Sequence, residues 1–191
     1  MRPTARRLPL VATLAAACAL SACGTAQHHA VAPVEATAPG GALDPCRLMT
    51  FRDAHTLIGH PGPGARSRST SLSLGDSCSY SGSSTEPDAQ VTVVTAAMLR
   101  RVSVWGFKAR DDYIAQRHNA SVEAGRLYRA PGVPRPNFSA VTATRPAASA
   151  TVGWMHGAAV ITVAVSNDRV DRTDALWDAI DLARRVAVHI R

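Results

Sequence analysis

From residue 44 onward the spacing of apolar and polar positions marks out a series of helices and strands. Asp44-Pro45-Cys46-Arg47-Leu48-Met49-Thr50 leads into a first helix: Thr50 is a good N-cap, Asp53 stands where a capping box usually has Glu, and Gly59 with Pro61 supplies the stop. Phe51, Ala54, Leu57 and Ile58 form its apolar face. His60 to Ser69 is dense in Pro, Gly, Arg and Ser and reads as a loop. Ser71 to Tyr80 then alternates, with Leu72, Leu74, Cys78 and Tyr80 on one face and Ser71, Ser73, Ser77 and Ser79 on the other; only Asp76 breaks the pattern. That is a half-buried strand with Cys78 toward the core. Ala89 to Met98 is a second strand, joined to the first as an antiparallel hairpin through Ser81-Gly82 and Glu86-Pro87-Asp88.

The second half continues in the same manner. Phe107 to His118 reads as an amphipathic helix with Phe107, Tyr113, Ile114 and Arg117 on one side. Leu127–Tyr128 and Phe138 to Thr144 are weaker strands, separated by the loop from Ala130 to Pro136. Ala150 to Met155 and Ala158 to Val165 are clearer strands about a His156-Gly157 turn, glycine being suited to positive φ. In the last helix Leu176, Ile180, Ala183, Ala187 and Ile190 recur at spacings of four and three, flanked by Trp177 and Val186, a stripe read as core. Asp171, Asp174, Asp178 and Asp181 precede Arg184, Arg185, His189 and Arg191, an order that complements the helix dipole. The prediction is an α+β domain: an antiparallel sheet of about four to six strands packed by two or three helices, the C-terminal one long and amphipathic.

The N-terminal segment is of another kind. Arg2, Arg6 and Arg7 precede an apolar stretch from Leu8 to Ala22 that is too short to span a bilayer stably, the pattern of a secretory signal. Its end, Leu20-Ser21-Ala22-Cys23, resembles the bacterial lipobox. The resemblance implies that the Cys23 thiol receives a diacylglycerol and that cleavage makes Cys23 the first mature residue. With roughly 0.8 kcal/mol per buried methylene, two or more acyl chains hold a soluble domain on a membrane. In the alternative, the segment is an ordinary signal peptide and Cys23 is incidental. Residues 23–43 are rich in Ala, Pro and Gly without periodicity and read as a flexible tether. The predicted organisation is therefore a signal at 1–22, a tether at 23–43 and one extracytoplasmic domain at 44–191. His28-His29 in the tether form at most a weak metal site.

This reading changes the meaning of the cysteines and the charge. Cys18 leaves with the signal and Cys23 is acylated, so Cys46 and Cys78 remain; in an exported domain an even pair reads as a disulfide. A metal or catalytic use of the two would need further ligands or a base in a recognisable pattern. The formal net charge is +7, but without the three N-terminal arginines 18 basic residues face 14 acidic ones, a net of +4. The remaining arginines are scattered, aromatics make up only 5% of the chain, and nucleic-acid binding is disfavoured.

The order lipobox, Pro-rich tether, Asp44-Pro45-Cys46 with Leu48-Met49-Thr50, a short helix ending at Gly59, then Cys78-Ser79-Tyr80 resembles the actinobacterial lipoproteins of the DUF3558 family. The similarity covers residues 44–191 and is most specific from Asp44 to Tyr80. Members often carry a second cysteine pair in the C-terminal half, which this chain lacks. The ending, Trp154 in a hairpin followed by an amphipathic helix, also resembles extracellular sensor domains of mycobacterial serine/threonine kinases at the level of fold. These resemblances imply place and fold and supply little chemistry.

Gly75-Asp76-Ser77 resembles the Gly-Asp-Ser block of SGNH-type lipases and esterases, which pair the serine with an Asp-x-x-His block. No Asp stands three residues before His55, His60, His118, His156 or His189, and Ser77 sits within a strand. Adjacent Asp111 and Asp112 diverge by about 100° on a helix and cannot share a proton. Metal, phosphate-loop and dinucleotide motifs are lacking, so neither catalytic residues nor cofactor or metal ligands are assigned. The expectation is a non-catalytic envelope lipoprotein, reaching the membrane through Cys23 and binding an envelope protein or hydrophobic ligand. The alternatives are a hydrolase using Ser77 and a purely structural surface protein.

Overall fold

A computed structural model describes residues 43–70, 74–82, 87–144, 147–167 and 172–190. The signal, Cys18, Cys23, nearly all of the tether with His28 and His29, Leu72 and Asp171 lie outside the described residues. Two capped helices come first. The Asp44 carboxylate accepts the Cys46 N–H at 3.0 Å and starts α1 (Pro45–Leu48). Thr50 starts α2 (Phe51–Ile58) through the expected capping box: Thr50 Oγ1 accepts the Asp53 N–H at 3.3 Å, and the Asp53 carboxylate accepts the Thr50 N–H at 3.0 Å. The sequence predicts only the second of these helices, but Asp44 and Pro45 suffice to nucleate a separate turn.

Six strands follow: β1 (Ala65–Ser67), β2 (Asp76–Tyr80), β3 (Asp88–Thr95), β4 (Asn137–Thr144), β5 (Ala147–His156) and β6 (Ala159–Asn167). They form one sheet in the order β1-β2-β3-β6-β5-β4, every neighbouring pair antiparallel. The halves meet where β3 pairs with β6, from Asp88 opposite Ser166 to Thr95 opposite Ala159. Three helices are longer than a turn or so: α2, α4 (Ala109–Ala124) and α5 (Arg172–Val188); α3 (Ala96–Arg100) is short. The α+β reading with an antiparallel sheet thus stands. No described helix is long and apolar enough to cross a membrane.

The sheet has two unequal faces. On one, Cys78, Val91, Val93, Ile161, Val163, Val152 and Trp154 are buried under α1, α2 and α5. Alanines dominate the α5 contact (Ala175, Ala179, Ala183, Ala187), with Ile180, Leu182 and Val186. On the other face a smaller cluster of Val94, Leu99, Tyr113, Phe138 and Val160 sits beneath α3 and α4. Much of what remains on that face is hydroxylic.

Several local expectations are corrected. Among the described residues the first alternating strand runs from Asp76 to Tyr80, and Leu74 is 46% exposed instead of inward. Asp76 explains this: its carboxylate accepts from the Ser69 N–H at 3.0 Å and from Arg101 Nη2 at 2.9 and 2.7 Å, while Ser69 Oγ accepts the Gly75 N–H. Ser69 is thereby tied to Gly75 and Asp76 at the start of β2. Part of the expected His60–Ser69 loop is β1, which pairs with β2 at the sheet edge. The second strand stops at Thr95, whose hydroxyl accepts the Met98 N–H at 3.2 Å and turns the chain into α3. Leu127–Tyr128 reduces to one bridge between Tyr128 and Ser139. The β5–β6 turn falls one residue later than expected, on Gly157-Ala158, with φ +55° at Gly157 and His156 paired to Ala159.

Two helix faces also differ. Helix α4 begins after Phe107, extends to Ala124, and presents Ala109, Tyr113, Gln116 and Ala120 to the sheet, leaving Ile114 53% exposed. Trp177, expected to flank the core, is 53% exposed. The α5 contact is centred a little to the other side, on the Ala175–Ala179–Leu182–Val186 line, which turns position 177 outward.

Candidate binding grooves

Cys46 and Cys78 form a disulfide between α1 and β2, with Cα atoms 5.0 Å apart and a sequence separation of 32. It anchors one end of the first core face. Its neighbour Ser77 points to the opposite face, as alternation requires, and is only 7% exposed. Ser77 Oγ accepts from Gln90 Nε2 at 3.4 Å and lies opposite Thr92 on β3.

An aspartate–histidine pair exists elsewhere. His189, just beyond α5, contacts the Asp53 carboxylate at 3.2 Å, and that carboxylate also accepts from the Thr50 hydroxyl at 2.6 Å. The pair clasps the end of α5 to the start of α2 on the first face, across the sheet from Ser77. The Gly75-Asp76-Ser77 block therefore has a carboxylate committed to Arg101, a buried serine and an amide partner. Among the described residues no group of three or more His, Cys, Asp and Glu is placed to hold a metal.

A groove of about 260 Å³ does open on the second face, between the C-terminal half of α4 and strands β4 and β5. Gln116, Asn119 and Glu123 line it from the helix and Thr142, Ser149 and Thr151 from the sheet, over a floor of Phe138, Ala140 and Ala120. Gln116 is held in place from both ends: its carbonyl accepts from Thr162 Oγ1 at 2.9 Å, and its amide donates to Asp112 at 2.8 Å. Burial pushes the Asp112 carboxyl above its ordinary range, partly offset by this hydrogen bond. Phe138 packs obliquely against Tyr113, whose phenol is pushed up by burial, with Arg117 acting in the opposite sense.

The floor depends on one glycine. Phe138 lies directly opposite Gly153, and a Cβ on that residue would sit 2.6 Å from the phenyl ring. Only a glycine lets the ring lie down on β5 and leave the groove open above it. Sequence reasoning missed this groove because α4 faces the sheet with small and amide side chains, which carry no apolar period.

The crease between α2 and α5 is smaller, about 70 Å³, and acidic, with Asp53, Asp178 and Asp181 beside Arg185. Arg185 pairs with Asp181 at 2.9 Å. The Asp178 carboxyl is raised above the ordinary range by burial first, then by Asp174 and Asp181. A raised folded-state value favours the protonated folded form, so this contribution is present at low pH and is lost as pH rises through that value. Asp178→Asn is expected to raise the melting temperature at neutral pH, with the gain shrinking as pH falls through the carboxylate range. A pH series of thermal melts checks this; a gain that is constant with pH would contradict it.

No family model matches the sequence, and no curated protein matches it. Among solved structures, the extracellular domain of PknH from Mycobacterium tuberculosis is similar, with a TM-score of 0.48 and 11% sequence identity over 76% of this chain and 93% of that one.

Proposed function

We propose that the chain is an extracytoplasmic lipoprotein of the DUF3558 type, held on a membrane through acylated Cys23, whose domain works by binding and not by catalysis. The observation that carries this reading is the groove between α4 and the sheet. It is a preformed hollow lined by hydroxyl, amide and carboxylate groups over a small apolar floor. Such a lining suits a polyhydroxylated ligand such as a sugar ring better than the hydrophobic ligand expected from sequence. The first sheet face is packed with Trp154, Met49, Ile58 and Leu182. The Cys46–Cys78 bridge supports an oxidising, extracytoplasmic setting. The buried, amide-bonded Ser77 supports a role in sheet packing.

The test is titration of the full chain, purified in nonionic detergent, with neutral oligosaccharides released from the cell envelope. Ala120→Trp, which fills the groove, is expected to weaken binding at least about tenfold, while Ser77→Ala stays within about twofold of the parent. Ester hydrolysis by the parent that Ser77→Ala abolishes would overturn the reading. Cys23→Ala is expected to leave the precursor unprocessed or to move the chain from the detergent phase to the soluble fraction; unchanged partitioning would remove the anchor from the proposal.

A further inference from the structure

The structure gathers four arginines that are far apart in sequence. Arg129 and Arg135 flank the loop before β4, Arg117 comes from α4 and Arg184 from α5. They line two adjoining hollows of about 440 and 600 Å³, which share Arg129 and Arg135; His156 at the β5–β6 turn completes the first. Neither hollow has an Asp or Glu in its lining. Three arginines elsewhere are neutralised by carboxylates: Arg66 pairs with Asp44, Arg101 with Asp76 and Arg185 with Asp181. The side chains of Arg117, Arg129 and Arg135 make no hydrogen bond or ion pair among the described residues.

The arginines stand on a fixed arch. The Asn137 side chain accepts from the Ala130 N–H at 3.0 Å and donates to the carbonyls of Ala130, Val133 and Pro134 at 3.2, 2.9 and 3.1 Å. Ala130 and Val133 are buried beneath the loop. Arg184 Nε donates to the Pro131 carbonyl at 2.7 Å, which ties the arch to α5 and leaves both terminal nitrogens of that guanidinium without a protein partner among the described residues. One wall of the first hollow is apolar, formed by Val133, Ala187 and Ile190.

We infer that this basin is a binding site for a phosphate-type oxyanion. Like charges held together repel, and a multiply charged oxyanion turns that repulsion into attraction. Planar guanidinium groups also match the oxygen pairs of a phosphate bidentately. The apolar wall accommodates an organic substituent on the phosphate. The source is either a soluble phosphate compound or a phospholipid headgroup. The basin shares no residue with the α4 groove, so its test is independent of the function proposed above.

The experiment is calorimetric titration of the full chain in nonionic detergent with inorganic pyrophosphate, then with dihexanoyl phosphatidylglycerol and, as a zwitterionic control, dihexanoyl phosphatidylcholine. Saturable pyrophosphate binding that weakens with added salt is expected. Arg129→Gln/Arg135→Gln is expected to weaken it at least about tenfold. Arg52→Gln/Arg100→Gln removes the same charge from exposed positions outside the basin and is expected to stay within about twofold. Arg117→Gln, on a solvent-facing helix position, reports on the basin if circular dichroism finds the double variant unfolded. Tighter binding of phosphatidylglycerol than of pyrophosphate assigns the headgroup as the source, and the reverse order assigns a soluble phosphate. The inference is overturned if neither anion binds saturably, or if the basin and control doubles lose equal affinity.

Discussion

Replacing both members of the Cys46–Cys78 bridge with alanine is expected to lower the unfolding free energy by about 3–4 kcal/mol. The bridge closes a loop with 32 residues of sequence separation, so the unfolded chain gains substantial freedom when it is lost. The folded state is vulnerable at the same place. Helix α1 is four residues long, too short to persist alone, and rests on β2 and β3 through the bridge, Pro45, Leu48 and Met49. Cys78 is fully buried, so truncation also leaves a small void in the first core face. Urea unfolding of parent and variant measures the difference. A loss well below about 2 kcal/mol would mean that packing of Leu48 and Met49 alone holds α1 to the sheet.

Trp154→Ala is expected to cost about 3–5 kcal/mol by the same measurement. Trp154 is fully buried under α5 on β5, the largest side chain of the first face. Among the described residues its Nε1 has no hydrogen-bond partner, nor has Ser139 Oγ on the adjoining strand of the same face. The indole is therefore held by shape and apolar contact, with its polar atom contributing nothing. Trp154→Phe removes that unsatisfied donor and keeps most of the volume, so its cost is expected to stay below about 1.5 kcal/mol. A Phe variant as damaged as the Ala variant would show that the indole N–H is satisfied in solution and matters to stability.

Some of this was legible locally. The capping box at Thr50 and Asp53 is a four-residue signal, and the structure forms it with both hydrogen bonds. The α5 stripe and the β5–β6 hairpin are sustained periodicities, and both elements exist, with β5 beginning three residues earlier and β6 ending two residues later than expected. The pairing of Cys46 with Cys78 followed from counting. What misled was composition at element edges. Asp76 inside an alternating run, and Thr95 ahead of Ala96 and Met98, are switches whose effect depends on Arg101, Ser69 and the chain that follows.

From its order of residues alone the chain thus determines the capping box at Thr50 and Asp53, the β5–β6 hairpin and the last helix. Those properties depend on neighbours a few positions apart. Tertiary structure decided the rest. It turned Trp177 outward because a line of small alanines packs closer to the sheet than an indole can. It made a groove from the Gln116 face of α4, which has no apolar period to announce it. It brought Arg117, Arg129, Arg135 and Arg184 to one basin because the start of β4 and the β5–β6 turn share one end of the sheet, and α5 carries the chain back to that end after β6. Charges that read as scattered along the sequence converge only when the strands between them are paired, since convergence is a property of the register and not of the spacing.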